Sequence, residues 1–414
     1  MSADTRPIPA PSSSDRNDET LSRTLTLPWL VFYGLGVTVG AGIFALVGEI
    51  TGVSGRNAPL AFMVAGSIAA ITALCYTRLI ALYPRAGGEA VYANKGLGHL
   101  AGRAAGLGVV VTGTISSAVV ALAFAGYVRS LIELPESLVV LAVVVALGLV
   151  AIRGIRESVI LAAVVTIVEV GTLVVVLAYG FPLLVDLRAV AETFTPMDDG
   201  TGLGPILAGA VIAFFAFVGF EDIANMAEET IDPKKTAPRA MIITLAVTMI
   251  LYVLLATVAV LIPESSGLSE SDAPMSTLFE AVSGHDGRVV SVIAVIAMIN
   301  GILVQIVMAS RVLFGMARED LMPAFLASVD ANRQTPVRAT VVIVIAITTL
   351  ALFFPLVGLA RATSLVTLGV FTLVDLSLFA IGTKDPSLGI GRWRWLGLFG
   401  ALLATGLAMW ELFG

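Results

Sequence analysis

Residues 36–44 read Gly36-Val37-Thr38-Val39-Gly40-Ala41-Gly42-Ile43-Phe44 and place three glycines inside a hydrophobic run that covers residues 27–50. A second hydrophobic run, residues 205–230, contains Phe217-Val218-Gly219-Phe220-Glu221-Asp222 near its middle. Inside hydrocarbon, unpaired backbone groups are tolerated only where they line a cavity or are buried in protein. Two interrupted helices at corresponding positions of a chain indicate the substrate site of a transporter. The sequence therefore predicts a protein that moves a small molecule across a membrane.

The composition is that of an integral membrane protein. Of the 414 residues, 57% are hydrophobic and 13% are charged, well below the roughly 25% charged residues of soluble domains. The single Cys75 excludes an internal disulfide, and His99 and His285 are too few for a His-based metal site. The sequence contains no nucleophile–base pair and no phosphate-binding loop, so we do not expect an enzyme. We expect no cofactor, no metal and no nucleic-acid partner, but contact with the lipid bilayer.

Apolar runs predict about eleven transmembrane helices, most of them as long as the roughly 20 residues that span hydrocarbon. We number them spans 1 to 11: residues 27–50, 59–83, 104–131, 138–152, 158–184, 205–230, 239–262, 289–316, 338–357, 363–382 and 395–413. Residues 1–24 are rich in Ser, Pro, Asp and Arg, which predicts a disordered cytoplasmic tail. We expect no cleaved signal peptide before span 1.

The positions of Lys and Arg predict the orientation. With the N-terminus inside, nineteen of the 24 Lys and Arg residues lie on the cytoplasmic side. The five that remain outside are Arg56, Arg129, Arg188, Arg288 and Arg361. Cytoplasmic loops carry the excess of basic residues in membrane proteins. The sequence therefore predicts a multi-pass protein of the plasma (inner) membrane with a cytoplasmic N-terminus.

The two halves of the chain share further features. Span 2 is predicted to begin at Ala58-Pro59 and span 7 at Ala237-Pro238, because proline is favoured in a first helical turn. With the paired helix breaks, this predicts a five-plus-five inverted repeat: residues 25–185 hold spans 1–5, residues 203–383 hold spans 6–10, and residues 395–414 add span 11.

The break in span 1 is the first candidate binding site. Unwinding at Gly40, Ala41, Gly42 and Ile43 would expose backbone N–H groups and the positive end of the following half-helix, which suits a carboxylate. The alternative is close helix packing through small residues.

The break in span 6 is the second candidate. Free carbonyls near Phe217, Val218 and Gly219 suit an ammonium group, and the alternative is a glycine kink in a core helix. The acidic pair Glu221 and Asp222 favours a functional site, because charges at membrane depth are costly.

Four motifs resemble those of the amino acid–polyamine–organocation permeases, and together they cover roughly residues 25–380. Any one motif is weak, but all four occur in the order and at the spacing of that family. The motifs are Gly40-Ala41-Gly42-Ile43-Phe44, the segment from Tyr83 to Tyr92, the segment from Phe214 to Arg239 and the segment from Ser310 to Pro323.

The resemblance implies an amino acid permease that works by alternating access. It implies that the span 1 backbone holds the substrate carboxylate and that span 6 carbonyls hold the amino group. Spans 3, 8 and 10 would line the side-chain pocket, which makes Ser116, Ser117 and Asn300 candidates. The alternative is that the hydroxyls bond to their own helix and that the amide joins two helices.

Two carboxyl groups depart from the family pattern. The resemblance places Glu169 where proton-coupled members often carry a lysine, so the lysine mechanism does not transfer. Glu169 lies eleven residues past Ser158, about 16 Å into its helix at 1.5 Å per residue. A carboxyl group at that depth is cheaper neutral than ionised, so we predict that Glu169 carries the coupling proton. Sodium binding and a purely structural hydrogen bond are the alternatives. Asp375 in span 10 and Glu221 are predicted to belong to a polar network.

The prediction is therefore an all-α secondary transporter, a proton-coupled symporter of a neutral amino acid. An amine, polyamine or cationic amino acid transporter or exchanger on the same scaffold remains open, as does a sensor that binds amino acids without transport.

Overall fold

The computed structural model of the protein describes residues 23–84, 87–154, 159–196, 202–263, 265–318, 322–330 and 335–413. Most of the predicted tail, residues 1–22, lies outside the described residues, as do residues 85–86, 155–158 and 319–321 within or beside the family motifs.

The described part of the chain is helical, and its only bridge of the β type joins Leu25 to Thr230. The helices are α1 (Leu27–Ser54), α2 (Ala58–Leu82), α3 (Gly88–Leu97), α4 (His99–Arg129), α5 (Glu136–Arg153), α6 (Val159–Leu184), α7 (Leu187–Thr193), α8 (Gly204–Phe217), α9 (Asp222–Asn225), α10 (Pro233–Leu261), α11 (Pro274–Ser283), α12 (Arg288–Arg318), α13 (Val337–Phe353), α14 (Leu356–Lys384) and α15 (Trp393–Phe413).

These helices confirm an all-α membrane protein. Within the described residues, nine helical segments are long and apolar enough to cross a membrane, and the first of them, Leu27–Leu82, contains both α1 and α2. The apolar helix α13 is slightly shorter, with 17 residues. When α1 and α2 are counted separately and α13 is included, the described chain has the eleven predicted spans.

Two helix starts differ from the prediction. The predicted start of span 7 at Pro238 is wrong, because α10 begins at Pro233 and carries Pro238 inside the helix. Pro233 takes the first-turn position that favours proline, directly after Asp232, whose φ is 48°. Span 10 begins at Leu356, after Pro355, and so includes Arg361. The Arg361 guanidinium lies 3.0 Å from a carboxylate oxygen of Glu411 in α15, which compensates its charge.

Both helix breaks are present. Gly40 has φ −23° and ψ −126°, which divides α1 into two halves. In span 6, α8 ends at Phe217 and α9 begins at Asp222, and Gly219 between them has φ 120°. The broken helices are central, because every residue from Val39 to Gly48 in α1 and from Gly209 to Phe217 in α8 is buried.

The two broken helices pack directly on each other. A β-carbon on Gly42 would lie 2.8 Å from the Cα atom of Ala216, and one on Gly219 would lie 3.0 Å from the carbonyl oxygen of Val37. Glycine is therefore required at both contacts, at Gly219 also because of its positive φ. Val37 is paired with Gly219, and Gly42, later in α1, is paired with Ala216, earlier in span 6. Helix α1 and span 6 are therefore antiparallel.

Candidate functional site

A small cavity of about 50 Å³ lies between the two breaks. It brings together six of the predicted site residues, from four regions of the chain. They are Gly40, Ala41 and Gly42 in α1, Ser116 in α4, Val218 after α8, and Asn300 in α12. No charged residue is among the described residues that line this cavity.

Three predicted residues lie beside this cavity. The side chains of Ile43 and Phe217 are fully buried in the core, and the Phe217 ring packs edge-on against Phe62 and Tyr252. Gly219 lines a neighbouring cavity instead. The break in span 6 thus faces two cavities.

The sequence analysis missed Gln305, which lines both cavities. Its Oε1 atom is buried and has no hydrogen-bond partner among the described residues. Asn300 and Gln305 are two amides in one apolar helix, and that pairing was the available signal. Ser117, in contrast, donates to the carbonyl of Gly113 at 2.8 Å in its own helix, as its alternative interpretation predicted.

Two helix ends with opposite partial charges meet at the cavity. The second half of α1 starts at the cavity, so its N-terminal amides provide partial positive charge. The C-terminal end of α8 provides partial negative charge, and its Phe215 carbonyl accepts from the Val218 N–H at 3.1 Å. The two ends together suit a ligand with a carboxylate and an ammonium group.

The neighbouring cavity, of about 30 Å³, is acidic. Glu89, Glu221 and Asp222 line it, and none of its described lining residues is basic. A Glu221 oxygen accepts from the Gly219 N–H at 2.8 Å, and a Glu89 oxygen accepts from the Tyr76 hydroxyl at 3.2 Å. Burial raises the pKa of Glu89 to about 7, and the charge of Asp222 raises that pKa as well.

Glu169 lies in α6 outside both cavities and is 2% exposed. Helix α6 contacts α1, α10 and α12. The Glu169 carboxyl lies close enough to the hydroxyl of Tyr252 in α10 for their charges to interact.

Tyr252, which the sequence analysis missed, joins the two breaks. Its hydroxyl lies 2.9 Å from the Thr38 carbonyl oxygen of α1 and 3.1 Å from the Ala216 carbonyl oxygen of α8. A phenol has one proton to donate, so the two carbonyls share one donor. Tyr252 therefore contacts the backbone of both broken helices and also interacts with Glu169.

Asp375 lines neither cavity, and its network with Glu221 stays a prediction. Its carboxylate is fully buried and accepts from the Thr72 hydroxyl of α2 at 2.9 Å. A β-carbon on Gly400 in α15 would lie 2.5 Å from the same carboxylate. Asp375 therefore belongs to the interface of α2, α14 and α15 and lines neither cavity.

A wider vestibule of about 440 Å³ opens beyond the second half of α1. Ala45 and Leu122, close to the cavity residues in α1 and α4, are among its lining residues. At its rim, the Arg129 guanidinium lies 3.3 Å from Glu136 and 3.4 Å from Asp272. The vestibule therefore lies on the side of the site where the second half of α1 ends.

The opposite end of α1 is closed by backbone pairing. The N–H groups of Thr24 and Leu25 donate to the Glu229 carbonyl at 2.9 and 3.1 Å, and the Ile231 N–H donates to the Leu25 carbonyl at 2.9 Å. These bonds tie the segment before α1 to the segment after the break in span 6.

Comparison with known proteins identifies the family. Residues 24–410 match the amino acid permease family. A cationic amino acid transporter of Arabidopsis thaliana, described as mitochondrial, is 28% identical over 400 residues, which cover 91% of this chain and 65% of that protein. An uncharacterised transporter of Mycobacterium tuberculosis is 33% identical over 375 residues, with 89% and 82% covered. A branched-chain amino acid permease of Bacillus subtilis is 26% identical over 397 residues, with 90% and 83% covered.

The chain thus spans just under two thirds of the Arabidopsis relative and most of the two bacterial ones. The family match covers nearly all of the described helices, including both breaks. The chain therefore belongs to the amino acid permease family, whose members are membrane transporters of the amino acid–polyamine–organocation group and not enzymes.

Proposed function

We propose that this protein is a secondary active transporter that carries a neutral α-amino acid across the plasma (inner) membrane by alternating access. The observation that carries the proposal is the cavity between the two breaks, which α1, α4, span 6 and α12 line together. Its lining has backbone groups and neutral side chains but no charge among the described residues.

The proposed pose follows from the helix ends. The substrate carboxylate accepts hydrogen bonds from the backbone N–H groups of Ala41, Gly42 and Ile43, at the positive end of a half-helix. The substrate ammonium group donates to carbonyl oxygens at the end of α8 and in the unwound segment at Val218. Ser116, Asn300 and Gln305 then contact the side chain of the substrate.

A cationic amino acid is the second candidate substrate, and the acidic cavity favours it. That cavity shares Val218 and Gln305 with the central one, so a long side chain can pass between them. Glu89 and Asp222 would then face its positive charge. The name of the Arabidopsis relative agrees with this candidate, and the name of the Bacillus relative agrees with the first.

We propose that the coupling ion is a proton held by Glu169. The carboxyl is almost fully buried, and no basic side chain among the described residues acts on it. Ionisation there would therefore be costly. Tyr252 links the carboxyl to both breaks, so protonation can alter the backbone that holds the substrate. Sodium coupling is the competing mechanism.

We also propose the five-plus-five inverted repeat for residues 25–185 and 203–383, with residues 395–414 as an added helix. The antiparallel contact of α1 and span 6 agrees with it, whereas the start of α10 at Pro233 removes one of the similarities that suggested it.

Purified protein in proteoliposomes tests the substrate and the coupling ion. Uptake of labelled leucine is competed with lysine, with an amine that lacks the carboxylate and with a carboxylic acid that lacks the amine. The proposal expects competition by neutral α-amino acids only, and uptake driven by an inward proton gradient without sodium. Uptake of lysine but not leucine, reduced by Asp222→Asn, would establish the second candidate. Uptake that needs sodium would contradict the role given to the proton.

A further inference from the structure

Buried oxygen atoms without a hydrogen-bond partner lie on α1, α6 and α10, which pack on one another. Within the described residues, they include Glu169 Oε2 and the hydroxyls of Thr38, Thr244 and Thr248. All four side chains are at most 2% exposed. Threonine in a helix usually donates to the carbonyl one turn earlier, as Thr257 does to Val253 at 2.7 Å in α10. Three threonines that do not do this, beside a carboxyl group, need another explanation.

The packing of α1 on α10 sets two of these hydroxyls at one level. A β-carbon on Gly34 would lie 2.7 Å from the Thr244 hydroxyl. Thr38 lies one helical turn after Gly34 in α1, and Thr248 lies one helical turn after Thr244 in α10. One turn further along α10, Tyr252 reaches the Thr38 carbonyl. The two helices therefore run parallel, with Thr38 and Thr248 side by side just before the break at Gly40.

The packing of α6 on α1 brings Glu169 to the same level. A β-carbon on Gly36 would collide with the Thr166 side chain of α6, so Gly36 and Thr166 are neighbours. Glu169 lies three residues beyond Thr166 and interacts with Tyr252. Glu169, Thr38 and Thr248 thus lie at similar depth, and Thr244 lies one turn nearer the ends where α1 and α10 begin.

A hydroxyl group can donate one hydrogen bond and accept two, and a neutral carboxyl group can also do both. Water matches this set, since it donates and accepts, whereas an alkali cation would use only the lone pairs. We propose that Thr38, Thr248 and Thr244 bind a short file of water molecules that joins Glu169 to the membrane face where α1 and α10 begin. Protons leave Glu169 by this file, which gives the proposed proton symport its exit on that side.

The proposal rests on the proposed proton coupling. Tyr252 in α10 is a titratable group whose charge interacts with Glu169. The other charged side chains of the helices packed on α6 lie toward the helix ends: Glu49 in α1, Lys234, Lys235 and Arg239 in α10, Glu280 in α11, and Arg288, Arg311 and Arg318 in α12. Thr248 and Thr244 therefore place two buried hydroxyls on the part of α10 that leads from the level of Glu169 toward the start of the helix.

Valine variants test the proposal, because Thr→Val removes the hydroxyl and keeps the shape. Thr244→Val and Thr248→Val are compared with Thr257→Val, a buried threonine of the same helix whose hydroxyl is satisfied by its own backbone. Substrate counterflow, which requires no net proton movement, reports folding and the proposed transport activity. Uptake driven by an imposed pH gradient reports proton transfer.

We expect counterflow at the wild-type rate in all three variants, and pH-driven uptake slowed several-fold in Thr244→Val and Thr248→Val only. The infrared carboxyl band that Glu169→Gln removes should also exchange with D₂O more slowly in those two variants. Wild-type pH-driven uptake and unchanged exchange in both would overturn the water file, as would uptake driven by sodium alone. Absence of counterflow in the wild type would instead refute the proposed transport, which separates the two failures.

Discussion

At the scale of single residues, the cavity between the breaks has one wall that a small substitution can probe. Gly301 in α12 lines it, and a β-carbon there would meet no atom within 4 Å. We expect Gly301→Val to fill the substrate space and weaken binding at least about tenfold, which corresponds to ~1.4 kcal/mol. Binding is measured by competition or calorimetry on the purified protein.

Gly171→Val is the matched control for this substitution. Gly171 also has open space around its Cα atom and lies mid-helix in α6, but it lines neither cavity. Equal loss of affinity in both variants would show that β-branching in a helix, and not the cavity, causes the effect. Gly42→Val is a poorer probe, because its side chain would meet the backbone of α8 whether or not a substrate binds there.

The proton role of Glu169 gives a prediction at the same scale. Glu169→Gln keeps a neutral side chain of the same shape, so it should retain substrate exchange but lose accumulation against a gradient. Asp375→Asn changes another fully buried carboxyl group and should retain both activities, because Asp375 lines neither cavity. Accumulation of labelled substrate under an imposed pH gradient is the measurement. If Glu169→Gln still concentrates substrate, the carboxyl group is only a structural hydrogen-bond partner.

Several site residues could be predicted from the sequence because glycine inside an apolar run is a local signal. Gly40 breaks α1, and Gly42 lies at the contact of α1 with α8. Gln305 and Tyr252 were missed, since their roles depend on which helix faces which cavity. That information lies in the packing of α10 and α12 against the breaks, to which the composition of one helix gives no guide.

At the scale of helices, Tyr127 connects three elements at the vestibule. Its hydroxyl donates to the Phe44 carbonyl of α1 at 2.8 Å and accepts from the Met275 N–H of α11 at 3.1 Å. Tyr127→Phe leaves the buried Met275 N–H unpaired and should lower the free energy of unfolding by about 1–3 kcal/mol. Thermal unfolding in detergent measures this loss. Tyr179→Phe, at a side chain that is 45% exposed, is the control and should change little.

The helices themselves were largely predictable, but their ends were not always so. Apolar length located all eleven spans, because no other arrangement satisfies backbone groups in lipid. Proline misled the prediction at α10, where Pro233 and Pro238 both fit a first turn and the earlier one begins the helix. Arg361 misled it at α14, because the partner that neutralises this charge, Glu411, is distant in sequence.

The buried carboxyl groups give the proposed repeat a further argument. Glu169 in span 5 faces Tyr252 in span 7, and Asp375 in span 10 accepts from Thr72 in span 2. In a five-plus-five repeat, spans 5 and 10 are equivalent, as are spans 7 and 2. The two carboxyl–hydroxyl pairs would then be related by the repeat.

At the scale of the whole molecule, the orientation makes a prediction. With the N-terminus inside, Ser387 is cytoplasmic and Glu133 is external, and both are exposed. In a Cys75→Ala background, a membrane-impermeant thiol reagent added to intact cells should label Glu133→Cys and not Ser387→Cys. The reverse pattern would invert the topology and would place the wider vestibule on the cytoplasmic side.

The whole-molecule arrangement also relates the state of the structure to transport. The wider vestibule lies on the predicted external side, and the pairing of Leu25 with residues 229–231 closes the other end. We therefore expect a ligand to reach the breaks from the vestibule. Alternating access would require the backbone pairing at Leu25 to open as the vestibule closes.

The most direct test is the structure of the protein with a transported amino acid bound, determined by electron cryo-microscopy. We expect density between the two breaks, with the substrate carboxylate at the N–H groups of Ala41, Gly42 and Ile43. The ammonium group should lie at the end of α8, with the side chain toward Asn300 and Gln305. A substrate bound only in the vestibule, with no density between Gly40 and Val218, would contradict the central claim that the helix breaks form the binding site.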